Sequence, residues 1–142
     1  MQGKGGKHME YCIAAQRALL AALLCLLAAP AAAEEPEVNQ LVVKDLAGLP
    51  DKEGMMLTVK YAPGDSNSKH RHNAHTFVYV LEGSIVMQVE GGQAVTLGPG
   101  QTFYETPDDI HTVSKNASGS QPAKFLVFFV KEKGAPPLIP VQ

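Results

Sequence analysis

The sequence contains no tryptophan and only two cysteines among its 142 residues. Both cysteines, Cys12 and Cys25, lie within the first 33 residues. The rest of the chain therefore has no thiol, which excludes a disulfide framework, a cysteine nucleophile and a cysteine-ligated metal site there.

Long hydrophobic runs are also scarce. The apolar stretch at residues 18–29 is too short to cross a bilayer as a helix, and no later stretch approaches its length. Basic residues precede this stretch and alanines occupy residues 31–33, which is the pattern of a cleavable signal peptide. We expect residues 1–33 to be removed and the protein to be exported, periplasmic or secreted, with no membrane anchor after cleavage.

Positive charge is sparse after residue 33. Removing Glu10 from the 14 acidic residues of the whole chain, and Lys4, Lys7 and Arg17 from the 12 basic ones, leaves 13 and 9, a net charge of about −4. No basic run interleaved with aromatic residues occurs. The sequence therefore argues against a nucleic-acid partner.

Short β-prone runs separated by glycine and proline turns make up the chain after the leader. These runs are at residues 41–43, 55–61, 77–81, 85–90, 94–97, 102–104 and 125–130. No stretch shows helical periodicity, so the sequence predicts an all-β antiparallel sandwich or barrel. We assign residues 41–132 to this domain, residues 34–40 to a flexible N-terminal arm and residues 133–142 to a Pro-rich C-terminal tail or edge strand.

Four histidines follow the leader, and they fall in two neighbourhoods. His70, His72 and His75 lie close together, whereas His111 is far along the chain. Residues two apart on a strand point to the same face, so His70 and His72 can present two imidazoles to one ion while a third comes from elsewhere. The alternative is that all of them are ordinary surface histidines on polar loops.

The spacing of these histidines and of several glycines resembles that of the cupin family. Six residues match the two motifs of that family: Gly64, His70, His72, Gly83, Gly100 and His111. The resemblance covers residues 40–132 and implies a single antiparallel jelly-roll β-barrel. It also implies a metal ion held by His70, His72 and His111, a small-molecule pocket inside the barrel and a homodimer.

One departure from the family concerns a metal ligand. The family's glutamate ligand falls at position 76 or 77, where this chain has Thr76 and Phe77. In one interpretation the site consists of three histidines alone, similar to the all-histidine iron centres of thiol and diketone dioxygenases in the cupin superfamily. In the other, His75 is a fourth ligand. Strand alternation opposes the second interpretation unless the strand bulges, because positions 75 and 76 face opposite sides.

Glu105 is a further candidate for chemistry. Its carboxylate can orient a ligating imidazole or transfer a proton. The alternative is an exposed carboxylate at the end of a strand, and we favour that interpretation from the sequence.

The expected cofactor is a divalent transition metal ion. Imidazole ligands bind several such ions, so Fe, Zn, Cu, Ni and Mn all remain candidates. The resemblance implies an exported metal-binding protein with a small-molecule ligand, and one candidate function is a metal-dependent, dioxygenase-like enzyme. A noncatalytic protein that captures a small ligand or a metal is the alternative. A purely structural domain with vestigial histidines is the third interpretation.

Overall fold

The computed structural model describes residues 36–142, so the signal peptide expected at residues 1–33 lies outside the described residues. No helix long and apolar enough to cross a membrane occurs in the described part. In chain order its strands are β1 (Glu37–Asp45), β2 (Lys52–Tyr61), β3 (Ser66–Asn67), β4 (His70–Arg71), β5 (Ala74–Glu82), β6 (Ile85–Val89), β7 (Val95–Leu97), β8 (Thr102–Glu105), β9 (Ile110–Asn116), β10 (Ala123–Glu132) and β11 (Ile139–Pro140).

These strands form two antiparallel sheets. The first has the order β1-β2-β10-β5-β8, and the second has the order β11-β4-β9-β6-β7, with β3 paired to β9. Most neighbours in a sheet are distant in sequence, so the chain passes repeatedly from one sheet to the other, as in a jelly roll. The all-β antiparallel jelly-roll prediction is confirmed. The sheets are not closed into a continuous barrel, and in that detail the expectation is corrected.

The core lies between the two sheets. Side chains alternate along β5 and β10 between buried and more exposed positions, because successive residues of a strand point to opposite faces. The buried apolar residues include Leu57, Val59, Val78, Val80, Ile85, Met87, Phe125, Val127 and Phe129. Each such side chain contributes roughly 1.5–3 kcal/mol by leaving water, so this layer stabilises the two sheets against each other.

Gly83 makes the turn from β5 to β6. Its φ of 68° lies in the left-handed region that side chains rarely adopt. A Cβ at this position would collide with the Pro122 carbonyl oxygen and lie 2.8 Å from the Ala123 Cα. Only glycine at position 83 therefore lets this turn pack against the start of β10.

Both ends of the described chain form strands, and only the N-terminal one departs from the prediction. The flexible-arm prediction for residues 34–40 is wrong from Glu37 onward, because β1 begins there and Glu37–Gln40 pairs with Lys60–Leu57 of β2. The arm's acidic composition is compatible with this pairing since its side chains stay exposed. At the other end, Ile139 and Pro140 pair with Arg71 and His70, which is the edge-strand alternative for the Pro-rich tail.

Strand β9 was not predicted. None of the β-prone runs predicted from the sequence includes His111, whereas His111 is the second residue of a seven-residue strand between β4 and β6. The segment IHTVSKN contains the β-prone residues Ile, Thr and Val but only two large apolar side chains and no apolar-polar alternation, so pairing on both sides determines its conformation.

Candidate metal centre

His70 and His111 face each other across a strand pair. β4 and β9 are antiparallel, and their register places His70 directly opposite His111. Directly opposite residues project to the same side of a sheet. Both imidazoles are only 3% exposed, and their ring centroids are 5.1 Å apart.

His72 completes the cluster from just beyond the end of β4. Two residues after His70, it points to the same side, and its ring centroid lies 4.8 Å from that of His70. The ring also packs against Phe129 of the opposite sheet, at 5.0 Å between centroids. The expectation that His70 and His72 share a face is met, although regular strand pairing ends at Arg71.

Backbone carbonyl groups hold two of the rings in place. The His70 Nδ1–H donates to the Ser68 carbonyl at 2.7 Å, and the His72 Nδ1–H donates to the Pro137 carbonyl at 2.5 Å. These bonds leave the Nε2 atoms of both rings as lone-pair donors, which is the usual arrangement around a ligating histidine. Pro137 is 65 residues from His72, and no local sequence signal identifies it as a partner.

The three imidazoles are arranged so that one ion can be bound by all of them. One ligand nitrogen from each of His70, His72 and His111 lies within 4.8 Å of the others. Both nitrogens of His111 are buried without a hydrogen-bond partner among the described residues. An orphaned buried imidazole is costly unless something binds it, and a metal ion fits that need.

Burial keeps these imidazoles neutral. It lowers the pKa of all three, to about 4 for His72 and to about 3 for His111. The neighbouring His70 and His72 lower the pKa of His111 further. Neutral imidazole is the form that binds a metal, so near pH 7 no proton must leave before an ion is bound.

His75 lies outside this cluster. It is exposed on the outer face of β5, its ring stacks on Tyr104, and its Nδ1 lies 2.7 Å from the Tyr104 hydroxyl. The prediction of His75 as a fourth ligand is therefore wrong in this structure. The backbone is irregular nearby, with φ of 48° at Asn73, yet alternation continues through it and turns Thr76 inward and His75 outward.

Glu105 is buried, contrary to the exposed position that we favoured from the sequence. It is 1% exposed at the end of β8, and neither carboxylate oxygen has a hydrogen-bond partner among the described residues. Oε1 lies 3.4 Å from His111 Nδ1, and Oε2 lies 3.8 Å from His72 Nε2. Burial, with a smaller contribution from Asp109, raises the pKa of this carboxyl to about 7.

A cavity of about 270 Å³ opens beside the histidines, between the two sheets. Its wall is mainly apolar, with residues such as Leu57, Val59, Val78, Phe125 and Val127. Pro36, Val38, Pro137 and Leu138 also border it, so both ends of the described chain contribute. Among the described residues that line the cavity there is no lysine or arginine.

Tyr61 and Ser114 form a polar pair in this cavity that the sequence analysis missed. The tyrosine hydroxyl and the serine Oγ are 2.7 Å apart, and both side chains are buried. Burial raises the pKa of Tyr61 to about 12, so the phenol stays protonated. The alternation of β2 carries the only signal for Tyr61, and it does not distinguish a pocket hydroxyl from core packing.

Comparison with protein families matches residues 57–129, just over half of the 142-residue chain, to the cupin domain. The matched segment contains all three clustered histidines and Glu105. Comparison with curated protein sequences gives no match.

Solved structures with the same architecture come from several bacteria. The DMSP lyase DddQ of Ruegeria pomeroyi aligns with a TM-score of 0.60 and 18% identity over 75% of this chain, which spans only 51% of that lyase. An uncharacterised conserved protein with a double-stranded β-helix domain from Klebsiella pneumoniae aligns with a TM-score of 0.60 and 17% identity, over 78% of this chain and 88% of that one. The polyketide cyclase RemF of Streptomyces resistomycificus aligns with a TM-score of 0.58 and 25% identity, over 77% of this chain and 72% of the cyclase.

Proposed function

This chain belongs to the cupin family, and from that premise we propose that it is an exported protein that binds one divalent transition metal ion and a small molecule beside it. His70, His72 and His111 hold the ion. The observation that carries this proposal is the convergence on one point of the cavity wall of three imidazoles, two buried and one partly buried, which burial keeps neutral.

The cavity limits what the small molecule can be. Its volume, about 270 Å³, is just below the usual range of roughly 300–1,000 Å³ for ligand pockets. Because the described residues that line it include no lysine or arginine, the metal is the main positive charge available to a ligand. The proposed ligand is therefore small and largely apolar, with one oxygen or anionic group that reaches the metal.

For an enzyme, we propose metal-dependent, dioxygenase-like chemistry. The ion would supply Lewis-acid polarisation or activation of dioxygen. The protein's part is to orient the ligand against the apolar wall, to exclude water, and to place the Tyr61 hydroxyl and the Glu105 carboxyl where a proton can be held. The similar structures are named for different reactions, which include a DMSP lyase, a polyketide cyclase and an oxalate oxidase, so the reaction type rests on the histidine-only ligand set.

The alternative is a noncatalytic protein that captures a small ligand. The absence of the family's glutamate at position 76 is compatible with this function, and the mainly apolar wall would bind a small ligand. Oxygen consumption with a panel of small thiols and 1,3-diketones separates the two functions. Turnover that requires the metal supports the enzyme, whereas saturable binding without turnover supports the binding protein.

The metal site itself is tested by elemental analysis of the full chain, purified without a histidine tag or chelator. We expect about one metal ion per chain in the wild type and none in His72→Ala. Metal-free protein after incubation with iron, zinc, copper, nickel and manganese would contradict the proposal.

Export and pairing are separate proposals. The leader composition supports export, and expression with the leader should give a secreted or periplasmic form that begins at Glu34.

A homodimer is supported by β1, which lies at the edge of the first sheet and exposes Val38, Leu41 and Val42. Such an edge is a template for pairing, and a monomeric mass by light scattering would contradict the dimer.

A further inference from the structure

The position that lacks the family's glutamate lies opposite a glutamate on the next strand. In the β5–β8 pair, Thr76 is the register partner of Glu105, and both are buried on the face that lines the cavity. Directly opposite residues of an antiparallel pair have Cβ atoms roughly 4.5–5.5 Å apart. A longer side chain on β8 therefore reaches the space that a glutamate at position 76 would fill.

The Glu105 carboxylate stands beside two of the three histidines. Its oxygens are 3.4 Å from His111 Nδ1 and 3.8 Å from His72 Nε2. The His72 nitrogen is the one left free by the bond to Pro137. Two ligands bound to one ion at about 2.0–2.2 Å lie roughly 3.0–3.5 Å from each other. Small side-chain adjustments therefore suffice to give the carboxylate and the imidazoles a common ion.

Nothing else in the described part of the chain satisfies this carboxylate. Both oxygens are buried without a hydrogen-bond donor, and the cavity lining contains no lysine or arginine. A buried carboxylate without a donor or a counter-charge is expensive. A divalent ion at the histidine cluster would supply both a bond and a compensating charge.

We propose that Glu105 is the fourth protein ligand of the metal, so that the carboxylate missing from β5 is provided by β8. This inference rests on the metal site proposed above, but it replaces the histidine-only ligand set, on which the dioxygenase-like reaction rests, and gives Glu105 a metal-binding role in place of holding a proton. It changes the chemistry of that site, because the ligand set His70, His72, His111 and Glu105 leaves a divalent ion with a net charge of about +1 rather than +2. Fewer positions also remain open for a small molecule.

The test compares metal binding by full-length variants. Zn²⁺ affinity is measured by competition with a chromophoric chelator, and the Co²⁺ visible spectrum reports the ligand set. Glu105→Thr should weaken Zn²⁺ binding by at least about tenfold and shift the Co²⁺ bands. The exchange variant Thr76→Glu/Glu105→Thr, which returns the carboxylate to β5, should recover most of the lost affinity. Glu82→Gln, an exposed glutamate on β5, is the matched control and should bind like the wild type.

Glu105→Gln separates a ligand from a residue that only orients His111. An amide oxygen can still accept a hydrogen bond from the His111 ring, so an orienting role predicts affinity and a Co²⁺ spectrum close to the wild type. A metal ligand predicts a clear loss of affinity in this variant too. Wild-type affinity in both Glu105→Thr and Glu105→Gln would overturn the inference and leave the three-histidine site intact. Failure of the wild type to bind any metal would overturn the proposed site as well.

Discussion

The two faces of the β5–β8 strand pair carry different chemistry. On the outer face, His75 is exposed and stacks on Tyr104. On the inner face, Thr76 and Glu105 are buried opposite each other, next to His72 and His111. One step along β5, from the exposed His75 to Thr76, therefore leads to the face where Glu105 of β8 is buried and where burial raises the pKa of its carboxyl to about 7.

This difference shows that position, rather than residue type, determines which groups build the site. From the sequence, His75 was a possible fourth ligand that strand alternation opposed, and Glu105 was a possible orienting or proton-transfer group for which an exposed position was favoured. Strand alternation turns the near residue outward, and strand pairing brings the distant residue inward. Variants of matched residues on the two faces test this contrast, starting with the largest expected effect.

Matched histidine variants test the inner and outer faces by metal binding. His111→Ala should abolish stoichiometric binding of Zn²⁺, because it removes a ligand from a site of few ligands, whereas His75→Ala should bind like the wild type. Equilibrium dialysis followed by elemental analysis measures both. Equal losses in the two variants would contradict the assignment of faces.

Matched phenylalanine variants test the difference between the inner and outer faces by their effect on the free energy of unfolding. Phe125 is 3% exposed and packs edge-on against Tyr61 at 5.2 Å between centroids, whereas Phe77 is 47% exposed. Phe125→Ala should lower the free energy of unfolding by about 3–5 kcal/mol. Phe77→Ala should cost about 1 kcal/mol or less. Urea unfolding provides the values, and similar costs at both positions would show that the inner layer is not the core.

The pH dependence of the metal-free protein tests the buried titratable groups. Unfolded imidazoles take up protons below 6.5, while the folded pKa is about 4 for His72 and about 3 for His111. The unfolded state therefore binds more protons as the pH falls below 6.5, and the free energy of unfolding should decrease. Glu105 has the opposite sign, because its pKa rises from 4.5 to about 7 on folding. Its stabilising contribution is present below pH 4.5 and is lost as the pH rises through 7.

Removing the Glu105 carboxyl separates its contribution to the pH dependence of stability from that of the buried histidines. Glu105→Gln should make stability increase more steeply between about pH 5 and pH 7, by roughly 2 kcal/mol over that interval. Urea unfolding at the two pH values gives the comparison, and parallel profiles for Glu105→Gln and the wild type would contradict the buried position of the carboxyl.

The smallest expected effect comes from matched tyrosine variants. The Tyr61 hydroxyl pairs with Ser114 in the buried cavity, whereas the Tyr104 hydroxyl pairs with the exposed His75. Tyr61→Phe should cost about 1 kcal/mol because it leaves the buried Ser114 hydroxyl unpaired. Tyr104→Phe should cost less than about 0.5 kcal/mol. A larger loss for Tyr104→Phe in urea unfolding would reverse the assignment of the two faces.

Much of the fold could be predicted because its signals are local. Glycine turns and β-prone runs located most of the longer strands, and the alternation rule already placed His75 opposite position 76. The weakly apolar β9 and the two-residue strands β3, β4 and β11 carry little local signal. Long-range pairing defines them, so they could not be found in the same way.

The site was predictable only where residues lie close together in the sequence or match a family motif. His70, His72 and His111 were identified by such a motif, and the structure brings them together. The burial of Glu105 follows from the register of β5 against β8, and the anchoring of His72 follows from the Pro137 carbonyl. Neither the register nor that contact can be derived from spacing along one chain.

The most direct test of the central claim is an anomalous scattering map from crystals of the protein loaded with zinc. We predict one strong peak on the inner face, about 2.0–2.2 Å from a nitrogen of each of His70, His72 and His111. A peak on the outer face at His75, or no peak in the cavity at saturating zinc, would contradict it.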